Sequence, residues 1–157
     1  MKVHQCIYCL FALLVFSCSK DESKLPLCVI GDVYVSEAHT SGDPEDYIEI
    51  YNSSNEDCLL SNFMLDDSPL LEDFTFGDVV IASQSFWVGY EDFANSFSSG
   101  LNSKGDMIYF SDGVSTMEFQ LGPSISNLSQ SFEKNGERCY TEPTPGYINS
   151  QCSDLSF

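Results

Sequence analysis

The run Tyr47-Ile48-Glu49-Ile50-Tyr51 constrains this chain most. Ile48 and Ile50 fall on one face and the residues between them on the other, which is the two-residue period of a half-buried strand. The same type of short run recurs along the chain. Val33, Val35 and Glu37 alternate with Tyr34, Ser36 and Ala38. Further strands are predicted over Leu59 to Leu65, Phe74 to Ile81, Phe86 to Tyr90, Met107 to Phe110 and Thr116 to Leu121. Ser111-Asp112-Gly113 marks a hairpin between the last two. Asn135-Gly136 marks another between Ser131 to Lys134 and Glu137 to Tyr140, because both turn residues tolerate positive φ. That turn would make Lys134 and Glu137 cross-strand neighbours. Glu91 to Phe97 could form one short helical turn, and no other stretch has helical periodicity. About eight short antiparallel strands at this spacing predict an all-β, immunoglobulin-like sandwich. Trp87, mid-strand, is expected in the core or on the sheet surface.

The N-terminal segment has a different character. Lys2 is followed by the unbroken apolar run Cys6 to Phe16, which has signal-peptide length and is too short to span a bilayer. Leu13-Leu14-Val15-Phe16-Ser17-Cys18 resembles the end of a bacterial lipoprotein signal, which implies removal of residues 1–17 and a lipid on Cys18. An ordinary secretory signal cut a few residues later is the alternative. Cys6 and Cys9 lie inside the removed segment, so that pair carries no redox or zinc expectation. Ser19-Lys20-Asp21-Glu22 after the cysteine resembles the surface-export signal of Bacteroidetes lipoproteins. Residues 18–27 then serve as lipidated cysteine and solvated tether, and residues 28–157 as one domain. The expected location is the outer membrane, exposed on the cell surface, with free secretion as the alternative.

Charge narrows the partners. The chain has 24 acidic and 6 basic residues, a net charge of -18. Nucleic-acid binders cluster Lys and Arg, so direct nucleic-acid binding is not expected. An anionic membrane surface would also repel this chain, which leaves the lipid anchor as the expected membrane contact. Aromatic residues make up 13% of the chain, unlike a disordered acidic tail.

Cys28, Cys58, Cys139 and Cys152 remain in the domain. Four cysteines in an exported chain predict two disulfides with three connectivities; Cys28–Cys58 with Cys139–Cys152 is preferred, and free buried thiols are the alternative. A four-thiolate zinc site lacks any close Cys-x-x-Cys pair.

The order of several short motifs resembles the lamin-tail domain family. Val33-Tyr34-Val35-Ser36-Glu37, then Asp46-Tyr47-Ile48-Glu49-Ile50-Tyr51-Asn52, are similar to its opening strands. Leu60-Ser61-Asn62-Phe63-Met64-Leu65-Asp66-Asp67 and Phe74-Thr75-Phe76 with Val80-Ile81-Ala82 resemble its middle. Ser131-Phe132-Glu133-Lys134 and Pro143-Thr144-Pro145-Gly146-Tyr147-Ile148-Asn149 resemble its close. Phe63 stands where Trp is usual, Lys134 where Arg is, and Ser83-Gln84 where Pro-Gly is common. The resemblance spans roughly residues 33–149. It implies an immunoglobulin-like sandwich and a non-enzymatic interaction module, in bacteria an accessory on surface or secreted proteins.

Catalytic chemistry has little support in the residues. His39 is the one histidine after the signal segment, expected as an exposed turn residue, and no Gly-x-Ser-x-Gly elbow accompanies it. Carboxylates pair at Asp66-Asp67, Glu72-Asp73 and Glu91-Asp92, with no long insertion to build a cleft around them. No resident cofactor is expected. Calcium is the sharper hypothesis set against that: Asp43, Glu45 and Asp46 crowd one inter-strand loop, with Asp57, Asp66 and Asp67 near others, and hard oxygen ligands suit Ca²⁺, but the chain has no Asp-x-Asp-x-Asp-Gly pattern and charge-rich loops are usually just solvated. The expected function is a surface-anchored binding module for an extracellular protein or glycan. The alternatives are a structural envelope component that self-associates, or a Ca-dependent accessory of a separately encoded extracellular hydrolase or nuclease.

Overall fold

A computed structural model describes residues 25–155. Cys18, the signal segment and the first part of the tether lie outside the described residues. The described part is all-β, with antiparallel strand pairing and no helix. One sheet holds β1 (Val33–His39), β2 (Tyr47–Asn52), β7 (Phe86–Tyr90), β10 (Ser129–Phe132) and β11 (Arg138–Thr141) in the order β11-β10-β1-β2-β7. A second holds β4 (Met64–Asp66), β5 (Phe74–Thr75), β8 (Met107–Ser111) and β9 (Thr116–Gln120) in the order β5-β4-β8-β9. The short strands β3 (Cys58–Leu59) and β6 (Val80–Ile81) pair separately.

The two larger sheets pack face to face as a β-sandwich. Val33, Val35, Ala38, Ile48 and Ile50 from the first meet Leu65, Ile108, Phe110 and Phe119 from the second in one buried core. Aromatic edges lock the layers: Phe119 of β9 meets Phe132 of β10 at 5.4 Å, and Phe76 touches both Phe110 and Trp87. Trp87 is a partly buried core aromatic, stacked on Phe74 at 6.0 Å. Its indole covers Gly89, where a Cβ would run into the ring and into Ser96. A glycine is needed there for close approach.

Among the described residues the strand count is eleven rather than about eight, because turns divide two of the expected runs. Leu59 to Leu65 breaks at Asn62, whose φ is 66°. Phe74 to Ile81 separates into β5 and β6 around Gly77-Asp78. Glu91 to Phe97 forms turns and no helix; Asp92 and Asn95 both have left-handed φ, which a right-handed helical turn excludes.

The Asn135-Gly136 hairpin also differs from expectation. Its connection runs Glu133 to Glu137, with the Gly136 amide donating to the Glu133 carbonyl at 2.8 Å. Gly136 has positive φ and Asn135 does not, so this is a longer loop around one left-handed glycine. Lys134 consequently pairs with Asp32 at 3.1 Å rather than with Glu137.

Both preferred disulfides are present. Cys28–Cys58 ties the N-terminal segment to β3, and Cys139–Cys152 ties the C-terminal segment to β11. The Leu59 amide donates to the Pro26 carbonyl, so the end of the segment assigned to the tether already packs on β3.

Much of the acidity is structural. Asp66 accepts from the amides of Ser68, Glu72 and Asp73. Asp73 accepts from the amides of Ser98 and Ser99, and Asp112 from those of Val114 and Ser115. Asp57 accepts from Ser83. Carboxylates are strong acceptors for loop N–H groups that no strand partner satisfies.

Candidate functional site

The outer face of the five-stranded sheet, opposite the core, carries the concentration of polar and aromatic groups. A β-bulge creates it. The β1–β2 register runs Val35 opposite Ile50 and then Glu37 opposite Glu49, so Ser36 is the inserted residue. Beyond the bulge the pleat reverses. Ala38 enters the core beside Ile48, while Ser36 and Glu37 both face outward. Simple alternation had placed Glu37 with Val33 and Val35; the bulge moves it to the other face.

The C-terminal segment after β11 folds back over these residues. The Thr144 amide and hydroxyl donate to Glu37, the amide to Oε1 at 3.1 Å and the hydroxyl to Oε2 at 3.0 Å. The Gly146 amide donates to Glu49 Oε2 at 2.6 Å. Ser36 Oγ donates to Glu49 Oε1 at 2.7 Å, and Asn149 Nδ2 donates to the Ser36 carbonyl at 2.8 Å. Two acids, one from each central strand, thus hold the Thr144-Pro145-Gly146 turn as a strap. Burial pushes both carboxyls upward, Glu49 to about 7, against the pull of its Ser36 and Gly146 donors.

His39 lies on this face and is buried, not an exposed turn residue. It ends β1, its ring stacks on Tyr47 at 5.7 Å, and Nδ1 sits 3.2 Å from Ser129 Oγ. Burial lowers its pKa despite the opposing charge of Asp46. Ser129 Oγ also contacts Tyr47 Oη at 3.1 Å. Ser129, His39 and Glu37 are all buried, and none of them lines the groove described next.

Beside the strap runs a groove of about 520 Å³. Its floor is a row of half-buried rings. Tyr34 and Tyr51 meet at right angles, 5.9 Å between centroids, and Tyr51 stacks on Phe86 at 4.7 Å. Ser131 contributes a hydroxyl, and Glu133 and Glu137 form an acidic wall at the β10–β11 end. Ile148, just after the strap, also lines the groove and is 82% exposed; its neighbour Tyr147 is 75% exposed. Arg138 also lines the groove and donates to the Gln120 carbonyl. Sequence reasoning missed this site. Tyr34, Tyr51 and Phe86 sit on separate strands, and only the register aligns them.

A smaller hollow at the other end of the sheet is lined by Glu45, Asp46, Glu91, Asp92 and Phe93. It receives Glu45 and Asp46 of the expected calcium loop but not Asp43, whose amide bonds Asn127 Oδ1. Among the described residues, no three His, Cys, Asp or Glu side chains come together as a metal-binding set. Asp57 and Asp66 are instead occupied as loop acceptors. Asp43, Glu45 and Asp46 thus do not gather as a metal-binding set among the described residues.

Comparison with protein-family models, with curated proteins and with solved structures found no match to this chain.

Proposed function

We propose that this chain is a non-enzymatic binding module, tethered to the outer membrane through a lipid on Cys18 and displayed on the cell surface. The single observation that carries the binding role is the groove: three aligned rings, flanked by hydroxyls and carboxylates and rimmed by an exposed isoleucine. Concave sites that combine an apolar floor with a few polar groups are the usual form of recognition surfaces. The partner in this proposal is an extracellular protein or glycan. The immunoglobulin-like, lamin-tail-like identity is supported by the order of the motifs and by the two-sheet arrangement. The tether is supported by the placement of Cys18 directly after the apolar run.

The test uses cells expressing the full chain, Cys18→Ala and Tyr51→Ala, probed with labelled glycan and peptide panels. The expected result is surface binding by the wild type, loss of retention with Cys18→Ala, and retained display without binding for Tyr51→Ala. Binding that is indifferent to Tyr51 would remove the groove from the proposal.

A further inference from the structure

The groove also indicates what charge its ligand carries. Tyr34 and Tyr51 stand at 89° to one another, so the corner between them presents one ring face and one ring edge to a guest. Ring faces carry negative potential and attract cations; perpendicular rings let one cation contact more than one aromatic group. Glu133 and Glu137 wall the same end of the groove, both exposed. Among the described residues, Lys134 pairs with Asp32, and Arg138, which keeps its charge, points its guanidinium at the Gln120 carbonyl. Among the described residues, neither Glu133 nor Glu137 forms an ion pair. Glu133 is close enough to Tyr34 that burial and its charge together raise the phenol pKa. Around this site is a chain of net charge -18, which steers cationic partners inward and anionic ones away.

We propose that the groove binds a basic polypeptide segment, seating a Lys or Arg side chain in the corner between Tyr34 and Tyr51 with its charge against Glu133. This inference rests on the binding-module proposal and narrows it. Ile148, an exposed apolar lining residue, contacts the aliphatic stem of that side chain or its apolar neighbour. A neutral glycan would use the rings but not the acidic wall, which is why the peptide is favoured.

The experiment is fluorescence anisotropy of a labelled lysine-rich decapeptide against the purified full chain. A glutamate-rich decapeptide and a neutral gluco-oligosaccharide serve as competitors. Tyr51→Leu keeps the apolar bulk and removes the ring; affinity is expected to fall about tenfold. Glu133→Gln is expected to weaken binding severalfold. Glu118→Gln makes the same net-charge change on β9, in the other sheet, and is expected to leave affinity unchanged. Glu133 is exposed, so its variant remains informative if Tyr51→Leu fails to fold. Equal weakening by Glu118→Gln and Glu133→Gln would overturn the inference, since bulk charge alone would explain the binding. Oligosaccharide binding that needs Tyr51, with no peptide binding, would overturn the inference and leave the binding module standing. No binding by any probe would overturn both.

Discussion

Glu37 and Glu49 face each other across β1 and β2, each with 0% of its surface exposed, and both carboxylates hold the same turn. Neighbouring like charges in a buried site are costly. They persist here because three strap donors and Ser36 satisfy them. The strap also forms one wall of the groove, so the acid pair supports the proposed binding surface.

Stability should therefore depend on the protonation of Glu49. Its folded pKa is raised from the ordinary 4.5 to about 7, so between those values the folded state holds more proton than the unfolded one. The linkage sign follows: its contribution is fully present below pH 4.5 and is lost as pH rises through about 7. Glu37 shifts in the same direction, while the lowered pKa of His39 costs stability as pH falls. Comparison with Glu49→Gln isolates one term. Gln can accept from Gly146 and donate to Ser36, so it should lose less stability than the wild type between pH 5 and pH 8. Parallel Tm–pH curves for the two proteins would refute the assignment.

The strap should also depend on the Cys139–Cys152 bond. The bond closes a short loop of sequence separation 13, for which the chain-entropy effect is about 3 kcal/mol. Cys139→Ser with Cys152→Ser should lower stability by about that much in chemical denaturation. It should also weaken any ligand in the groove, because Cys139, Cys152 and Ile148 all line it. Opening Cys28–Cys58, which ties the N-terminal segment to β3, should destabilise without that second effect, as neither cysteine lines the groove.

Asn52 predicts a sharper loss. It ends β2 fully buried, donating Nδ2 toward the carbonyls of Glu56, Ile81 and Ala82 and accepting from the Ser54 amide. Asn52→Ala leaves several of these groups without a partner, and each buried loss costs about 1–3 kcal/mol. A total of about 3 kcal/mol is expected by urea denaturation. A loss below about 1 kcal/mol would mean that water replaces the side chain.

These residues show which parts of the molecule can be read from sequence. The all-β class was legible because alternation and turn residues are local signals; β7 runs from Phe86 to Tyr90, the span expected from its pattern. Both disulfide pairings were preferred correctly. Glu37 was misplaced because a single inserted residue reverses the pleat, and nothing in Val-Tyr-Val-Ser-Glu-Ala announces a bulge. His39 was misjudged because its neighbours Thr-Ser-Gly read as a loop, whereas Ser129 pairs opposite it from a strand ninety residues away. The groove was invisible for the same reason: it is made by register between distant strands.

The acidic hollow supplies the last prediction. Glu91 is raised first by burial, then by the charges of Asp46, Asp92 and Asp73. Asp92 also sits at φ 59°, a left-handed conformation that Asn adopts readily. Asp92→Asn removes one like charge and suits the backbone, so it should stabilise the protein by about 0.5 kcal/mol at neutral pH and low salt. Added salt should shrink the difference by screening the repulsion. Millimolar Ca²⁺ provides the contrast. If Glu45, Asp46, Glu91 and Asp92 formed a specific calcium site, Ca²⁺ would raise the wild-type Tm and Asp92→Asn would abolish that rise. The structure gathers no metal-binding set among the described residues, so the expected outcome is a more stable variant whose response to Ca²⁺ matches that of the wild type.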